Sequence, residues 1–542
     1  MIQKPTRRLF TDLAILSAPI LTMVVFAAIG INAISPPSPR SLVQGGSAFS
    51  VDRALQDVQQ IAREPHPVGS KAHGAALAYI LDQLRGCALD AQIQTDVNET
   101  VALTNVLALP GKSASTNIVL LVAHYDSVAT GPGAGDDAAG VAALLETARV
   151  IGDQSPNRNQ IGFLITDGEE AGLLGAQIFV RDNSELLKKV RLVLNFDSRG
   201  NRGPAIMFET GPRNLALMRL FRLCPCPVAT SFAQDVYRRM PNDTDMTVFM
   251  GAGKTGYNFA VIEGLEVYHT SSDTWQNMNP RVLAHYGSYL TTLTRELTRR
   301  DLESLKSTQD AVCFPVIRGI FVVYPESWAL PFAIGAFALY AGVVALGAAR
   351  RRIRIVRILL GTVIATAIPA LGALAAELLL RFLEYTFSGP RWGQYFVFRH
   401  SDAIMIASVA LAVAIVPALK CLLTRKLGAA ELLAGALFIW ISLALATAFW
   451  LRGFSYLFLW PSVFGTTALW IVSRRESVSI TASIFAMVGT AAAACVLFAP
   501  TILLSYYALT IGLLAAWIGL TSYAIWLVCL PQRMDVAANE AI

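Results

Sequence analysis

The segment NIVLLVAHYDS (residues 117–127) decides the fold of the first half of the chain. Its opening residues are nearly all apolar and include several β-branched side chains, which is typical of a strand buried on both faces of a sheet. His124 and Asp126 follow immediately. The segment therefore predicts a central strand that ends in ionisable side chains.

Similar strands alternate with helical segments between residues 50 and 300. Apolar runs of strand length recur, and segments with helical periodicity lie between and after them. The further strands are predicted at 161–166, 192–196 and 257–262, and the helices at 137–151, 172–180 and 281–299. This alternation predicts an α/β fold, a mostly parallel mixed sheet flanked by helices.

The residues that follow each predicted strand are the candidates for a site, because ligands collect at the carboxyl ends of parallel strands. These positions are rich in histidine and carboxylate side chains: His124, Asp126, Asp136, Asp137, Asp167, Glu169, Glu170, Asp197 and His269. Clustered carboxylates would repel one another without a cation. Mixed histidine and carboxylate donors suit zinc, so the pattern predicts a metal centre.

Five separated motifs in this order resemble the zinc aminopeptidases of the M28 type. They are HYD (124–126), GDDAAG (135–140), DGEEAGLLG (167–175), NFD (195–197) and YHTSSDT (268–274). The resemblance covers about residues 50 to 300. It implies a zinc-aminopeptidase-like fold that holds two zinc ions and releases N-terminal residues from peptide substrates.

The resemblance also implies the zinc ligands. One ion would be bound by His124 and Asp197, the other by Glu170 and His269. Asp136 would bridge both ions. Members of the subgroup described next often carry Glu where Asp197 stands, and either carboxylate binds zinc.

Three further roles follow from the same resemblance. Glu169 would be the general base that takes a proton from a water between the two zinc ions and so leaves a bridging hydroxide. Asp126 would orient the ring of His124. Tyr268 would assist the oxyanion, although some members use a different tyrosine. These three residues are the predicted catalytic set.

A subgroup of the family resembles the chain over a greater length. The segments REPHPVGS (63–70) and 314–325 are similar to the endoplasmic-reticulum metallopeptidase type and its bacterial membrane-anchored relatives. That subgroup joins an M28-like domain to several membrane spans. His66 lies in the first of these segments, which is not a metal-binding motif, and we interpret it as structural.

The chain as a whole is too apolar for a soluble protein. Of its residues 54% are hydrophobic and 15% are charged, whereas soluble proteins carry about 25% charged residues. The excess lies in stretches near the roughly 20 residues that a membrane helix needs. Eight spans are predicted: Leu13–Ile34, Ser327–Ala349, Ile358–Leu380, Ala403–Leu423, Gly428–Phe449, Phe454–Ser473, Val478–Ala499 and Thr501–Leu530.

The basic residues predict the orientation of these spans. The first span is longer than the apolar core of a secretory signal peptide, so we expect a retained anchor. Basic residues precede it and recur at 350–357, 424–427 and 474–476. The positive-inside rule places all of these in the cytoplasm and the catalytic domain outside. Alanine-rich spans and short loops favour a bacterial inner membrane, with that domain in the periplasm.

Four regions are therefore predicted. They are an N-terminal tail and anchor (1–49), an exported M28-like zinc peptidase domain (50–305), a connecting segment (306–326) and an all-α membrane domain of about seven spans (327–542). The net charge of +6 does not indicate a nucleic-acid partner, because many basic residues flank the spans. The predicted partners are a peptide substrate and the lipid bilayer.

Several alternatives stay open at this stage. The same fold could serve a catalytically silent receptor or scaffold, a transporter-associated domain, or a glutaminyl-cyclase-like acyltransferase. Arg199 and Arg202 follow Asp197 and could meet a carboxylate, although a solvated basic loop is the favoured interpretation. A disulfide among the four cysteines outside the spans cannot be paired from sequence: Cys87, Cys224, Cys226 and Cys313.

Overall fold

The computed structural model describes residues 20–39, 49–87, 89–97, 102–111, 117–151, 158–386, 391–392, 395–396, 405–412, 415–416, 428–474, 480–509, 519 and 521–522. The chain divides into two compact units. One unit is Ile34–Pro325. The other contains the apolar helix Ile20–Ala33 and the helices that follow Pro325.

A seven-stranded mixed sheet forms the centre of the first unit, in the order β1-β2-β4-β3-β5-β7-β6. Its strands are β1 (Leu89–Val97), β2 (Ala102–Pro110), β3 (Ile118–His124), β4 (Gln160–Thr166), β5 (Val190–Ser198), β6 (Arg202–Thr210) and β7 (Gly256–Glu263). Strands β4, β3, β5 and β7 are parallel. Strands β1, β2 and β6 run antiparallel at the two edges. The predicted α/β fold is confirmed.

The four strands predicted from apolar runs are the four parallel ones. Every residue of β3 is buried, as expected for a strand covered on both faces. The edge strands were not predicted. In β1, polar and apolar residues mix along the sequence LDAQIQTDV, and such a half-exposed strand has no continuous apolar run.

Helices cover both faces of the sheet. In this unit they are Val51–Ile61, Lys71–Gly86, Ala139–Ile151, Leu174–Asp182, Ser184–Lys189, Leu215–Phe221, Ser231–Tyr237, Asp245–Gly251 and Arg281–Arg299. Helices Ala139–Ile151 and Arg281–Arg299 share the larger hydrophobic core. Helices Leu174–Asp182 and Asp245–Gly251 pack in a second core with the strands.

The helix predicted at 137–151 begins later than expected. The apolar periodicity starts at Asp137, whereas the regular helix starts at Ala139. Asp136 and Asp137 have non-helical backbone angles, with φ of −115° and −130°. The polar loop therefore extends through both aspartates before the chain becomes helical.

A hairpin closes the first unit, formed by β8 (Ala311–Ile317) and β9 (Ile320–Pro325). Cys313 and Phe321 of this hairpin are buried in the larger core. Much of the segment predicted as a connection thus packs as part of the globular unit. Cys87, Cys224, Cys226 and Cys313 are all free thiols.

The second unit is helical. Its long helices are Ala329–Ala349, Ile355–Thr386, Ala429–Trp450, Ser455–Arg474 and Ile480–Leu509, and two short strands pair at Arg391–Trp392 and Tyr395–Phe396. Among the described residues, five helices are long and apolar enough to cross a membrane. These helices indicate an integral membrane protein and confirm the predicted multi-span region.

One predicted break between spans is wrong. The sequence suggested two spans meeting at Pro500, but the helix Ile480–Leu509 continues through this proline. Membrane helices tolerate proline where neighbouring groups satisfy the freed backbone carbonyl. Much of the predicted spans Ala403–Leu423 and Thr501–Leu530 and the beginning of Leu13–Ile34 lie outside the described residues. The total of eight spans therefore stays a prediction.

Candidate metal centre

The five predicted ligands meet at the carboxyl edge of the parallel strands. His124 is the last residue of β3, and Asp197 lies near the end of β5. Asp136, Glu170 and His269 lie in the loops after β3, β4 and β7. They form two groups that could each hold a metal ion, His124 with Asp136 and Asp197, and Asp136 with Glu170 and His269.

Asp136 belongs to both groups because its two oxygens face opposite histidines. Its Oδ1 is 3.2 Å from Nε2 of His124, and its Oδ2 is 3.2 Å from Nε2 of His269. Asp197 Oδ1 lies 4.0 Å from His124 Nε2, and Glu170 Oε1 lies 3.0 Å from His269 Nε2. This carboxylate geometry suits a bridge between two cations.

Two of the predicted ligand atoms are better suited to bind a cation than to form a hydrogen bond with each other. Oε1 of Glu170 and Nε2 of His269 are buried and 3.0 Å apart, but neither atom makes a hydrogen bond of acceptable geometry within the described residues. Buried polar atoms normally have a partner. A cation held between such nitrogen and oxygen donors would satisfy both, and this donor set suits zinc.

The electrostatics of the cluster also favour bound cations. Burial raises the pKa of Asp197 to about 7, and the charge of Asp136 adds to this rise. Burial and Asp136 likewise raise the pKa of Glu170. The pKa of His269 rises to about 9 although burial opposes it, because the carboxylates of Asp136 and Glu170 lie close to its ring. Negative charge is in excess here, and divalent cations would neutralise it.

Asp126 connects a metal-facing histidine to the neighbouring loop. Its carboxylate lies 3.4 Å from Nδ1 of His124, and the ring nitrogen also lies 3.1 Å from the Asp126 carbonyl oxygen. The backbone N–H groups of Glu169 and Glu170 donate to the same carboxylate at 3.0 and 3.2 Å. Asp126 therefore positions both His124 and the loop that carries Glu169.

Glu169 is beside the two groups without belonging to either of them. Burial raises the pKa of its carboxyl group well above the usual range, with further contributions from Asp197, Asp245 and Asp136, while His124 opposes the shift. A raised carboxyl pKa is a property of general bases that work near neutral pH.

Tyr268 lies against a predicted ligand. Its ring stacks on the ring of His269 with 3.8 Å between centroids and an interplanar angle of 24°. The guanidinium carbon of Arg199 lies 5.6 Å from the centre of the same tyrosine ring. An aromatic side chain and a cation thus border this side of the centre.

His66 lies outside both groups of metal-ligand side chains. It is buried, and its Nδ1 is 3.0 Å from the Glu64 carbonyl oxygen. The backbone N–H of His66 donates to the hydroxyl of Ser127 at 2.9 Å. These contacts fit the structural interpretation.

Sequence reasoning gave no role to several residues that support the centre. Asp273 accepts hydrogen bonds from the backbone N–H groups of Gly135 (2.8 Å) and Asp136 (3.3 Å). Asp273 stands in the motif YHTSSDT, so its position was visible from sequence, but its partner was not. Asp245 pairs with Thr166 at the end of β4, and no local pattern predicts that contact.

A buried histidine, His73, contacts Asp167 at the start of the loop that carries Glu169. Nε2 of His73 is 2.8 Å from Oδ1 of Asp167, and the backbone N–H of Thr104 donates to Oδ2 of Asp167 at 2.7 Å. The ring of His73 stacks on Tyr125 at 4.7 Å. His73 has no motif around it, and only the tertiary structure reveals the contact.

Residues 105–294 match Peptidase family M28, so the chain contains an M28 peptidase domain. The vacuolar membrane protease of Candida dubliniensis is 29% identical over 246 residues, which cover 42% of this chain and 26% of that protein. The putative endoplasmic reticulum metallopeptidase 1 of Schizosaccharomyces pombe is 32% identical over 214 residues, 38% of this chain and 26% of that protein. Each match thus spans under a third of the relative's length.

Solved structures of similar chains cover about half of this one. The aminopeptidase from Aneurinibacillus sp. strain AM-1 aligns with 47% of this chain and 95% of its own, at a TM-score of 0.39 and 14% identity. The glutaminyl cyclase of Porphyromonas gingivalis aligns with 46% of this chain and 98% of its own, at a TM-score of 0.38 and 22% identity.

Proposed function

We propose that the chain is a membrane-anchored di-zinc aminopeptidase that removes N-terminal residues from peptides. The observation that carries this proposal is the carboxylate of Asp136, whose two oxygens each lie 3.2 Å from a different histidine. A carboxylate shared by two groups of metal-ligand side chains suits a two-metal hydrolytic site, in which the ions lie about 3.5–4 Å apart. The M28 domain supports zinc as the metal.

Each proposed ion has its own set of residues. His124 and Asp197 would hold one zinc ion, Glu170 and His269 would hold the other, and Asp136 would contact both. Bound in this way, zinc would supply Lewis-acid activation of a water molecule and of the scissile carbonyl. The remaining chemistry belongs to side chains of the protein.

Glu169 would move the proton. Its carboxylate would accept a proton from the attacking water and later donate it to the leaving amine, which is the general acid–base role. Asp126 would keep Glu169 in place through the backbone hydrogen bond described above. Tyr268 would stabilise the negative charge that develops on the carbonyl oxygen.

The membrane orientation is part of the proposal. The cytoplasmic basic residues predicted from the sequence would leave the peptidase domain on the exported side. In a bacterial inner membrane this side is the periplasm. The helices would anchor the domain in the bilayer.

The test compares wild type with Glu169→Gln, both as full-length protein in detergent. Zinc content and hydrolysis of aminoacyl amides are measured on the same samples. We expect two zinc ions per chain in both proteins and a loss of about 10²- to 10⁴-fold in turnover for the variant, the range of general acid–base catalysis. A variant that turns over at the wild-type rate would refute the role of Glu169.

The same samples separate the alternatives. Mass spectrometry of the products distinguishes release of an N-terminal residue from cyclisation of an N-terminal glutamine, which loses ammonia. Two zinc ions without turnover of any peptide would favour a silent receptor or scaffold. One zinc ion per chain would contradict the ligand assignment.

A further inference from the structure

The proposed base Glu169 and the predicted ligand Glu170 lie in the loop of residues 167–173, which follows β4. The loop is compact, because two backbone N–H groups further along it donate to the carbonyl oxygen of Glu169 at 2.9 and 2.8 Å. Asp167 joins this loop to the end of β4. The contacts of Asp167 therefore decide where both glutamates lie.

Asp167 is fully buried and is held by partners on two neighbouring elements. Its backbone N–H donates to Oδ1 of Asn105 at 3.0 Å, and its Oδ2 accepts from the backbone N–H of Thr104, both in β2. Its Oδ1 lies 2.8 Å from Nε2 of His73, in the helix Lys71–Gly86. A buried carboxylate needs such donors, so loss of the histidine would leave one oxygen unsatisfied.

The ring of His73 also contacts the residues that follow β3. It stacks on the ring of Tyr125, with 4.7 Å between centroids and an interplanar angle of 14°. Tyr125 stands between His124, a predicted zinc ligand, and Asp126, which accepts the backbone hydrogen bonds of Glu169 and the next residue. One side chain thus contacts both of the strand ends that must be aligned at the centre, β4 through its edge and β3 through its face.

The helix that carries His73 fixes the position of this side chain. Ser70 caps the helix, and its hydroxyl accepts a hydrogen bond from the backbone N–H of His73 at 3.1 Å. The side chain itself is buried. A residue whose backbone is capped and whose ring is packed can hold a neighbouring loop in one place.

We propose that His73 is a positioning residue, which aligns the loop of Glu169 with His124 through its contacts with Asp167 and Tyr125. The catalytic consequence of this inference rests on the proposed peptidase function. A displacement of about 1 Å at a reacting group can cost about 10²-fold in rate. Loss of the contact should therefore lower turnover while the zinc ligands remain in the chain.

The experiment compares two substitutions that each keep one of the two contacts. His73→Phe keeps a flat ring over Tyr125 but has no donor for Asp167. His73→Gln places an amide nitrogen where Nε2 stood and so keeps the donor. In full-length zinc-loaded protein we expect His73→Phe to lower kcat for aminoacyl amides by roughly 10- to 100-fold, with KM unchanged. His73→Gln should recover most of this loss.

A second buried histidine provides the matched control. The ring nitrogens of His285 bind the backbone of Ala205 and Cys226 at 2.9 and 3.1 Å. His285→Phe should lower the free energy of unfolding, whereas kcat of the folded, zinc-loaded protein should stay at the wild-type value. Equal losses of kcat in His73→Phe and His285→Phe would overturn the inference, because the loss would then follow from the removal of any buried histidine.

Hydrogen exchange measures the loop without any turnover. Mass spectrometry of peptides that cover residues 167–175 reports the protection of the backbone N–H groups of Glu169 and Glu170, which donate to Asp126. We expect faster exchange there in His73→Phe, and exchange close to that of wild type in His73→Gln.

The two measurements separate this inference from the proposed hydrolysis. Faster exchange in His73→Phe supports the inference even where the wild type hydrolyses no peptide, an outcome that would refute the proposed function alone. If His73→Phe does not fold, His73→Asn takes its place, since its shorter amide does not reach Asp167. Exchange equal to that of wild type, or a wild-type kcat in the variant that lacks the donor, overturns the inference.

Discussion

The two units of the chain differ in the ionisable groups that they bury and in the apolar side chains that they leave exposed. In Ile34–Pro325, ionisable groups such as Asp57, Asp126 and Asp167 are almost fully buried and hydrogen-bonded. In the helical unit, large apolar side chains are exposed, with Val356 at 78% and Phe485 at 71%. A water-soluble unit gains from satisfying buried polar groups, whereas a unit in lipid gains nothing by hiding apolar ones.

The difference teaches where a single substitution matters in each unit. Positions that matter in the globular unit are buried charges or residues paired with them, at the candidate metal centre and elsewhere in the unit. Positions that matter in the helical unit include exposed ones, because their surroundings are hydrocarbon. Four predictions test this contrast, beginning with the largest expected effect.

Asp136→Asn should have the largest effect on activity. The asparagine amide keeps only one oxygen that can bind a metal ion, whereas the carboxylate of Asp136 offers one oxygen to each group. At least one ion should therefore be lost. We expect turnover to fall by on the order of 10³-fold or more, since loss of a single stabilising group already costs about 10²–10³. Metal analysis and peptide hydrolysis measure both effects. The control Glu431→Gln, in the helical unit, should keep two zinc ions, and a loss of zinc there would break the contrast.

Arg149→Met should be the most damaging to the stability of the globular unit. Arg149 binds both oxygens of the buried Asp57 at 2.6 and 2.7 Å and also contacts Glu146. Its loss leaves a buried carboxylate without its cation, which costs about 3–5 kcal/mol. Denaturant unfolding of the detergent-solubilised protein measures the change.

The matched control for this change is Arg158→Met. Arg158 pairs with Asp301 at 2.9 Å, but both side chains are more than half exposed. Removing such a pair should change the free energy of unfolding by no more than about 1 kcal/mol. Equal effects of the two substitutions would mean that the buried pair has no special importance.

Val363→Arg should disturb the helical unit although its side chain is 63% exposed. Arginine near the middle of a membrane helix costs about 2.5–3.5 kcal/mol of insertion free energy. We expect a smaller membrane-inserted fraction in a glycosylation-mapping or fractionation assay. Leu223→Arg, at a 50% exposed site of the globular unit, should leave the yield unchanged. Tolerance of Val363→Arg would argue against a lipid-facing surface.

Asp273→Asn should have the smallest of the four effects. Asp273 belongs to neither group of metal-ligand side chains, but it accepts hydrogen bonds from the backbone N–H groups of Gly135 and Asp136. Loss of such supporting groups typically costs about 10- to 100-fold in metal affinity or activity. Competition with a chelator would detect the weaker zinc binding. An affinity equal to that of wild type would show that the loop holds its shape without Asp273.

Sequence patterns predicted the central strands of the sheet better than its edge strands. The apolar runs of β3, β4, β5 and β7 identified all four parallel strands, since a strand covered on both faces must be apolar throughout. The edge strand β1 was not predicted, because polar and apolar residues mix along its sequence. The proline at 500 was interpreted as a break, because its effect depends on neighbours that the local sequence does not contain.

By itself, the sequence determined which chemical groups stand at the strand ends. His124, Glu170 and Asp197 follow or end strands that their own apolar residues define, because hydrophobic burial acts on each segment locally. Only the tertiary structure decided which atoms meet. The opposed oxygens of Asp136 and the support from Asp273 and His73 depend on contacts between residues distant in sequence, and such contacts exist only once the sheet has assembled.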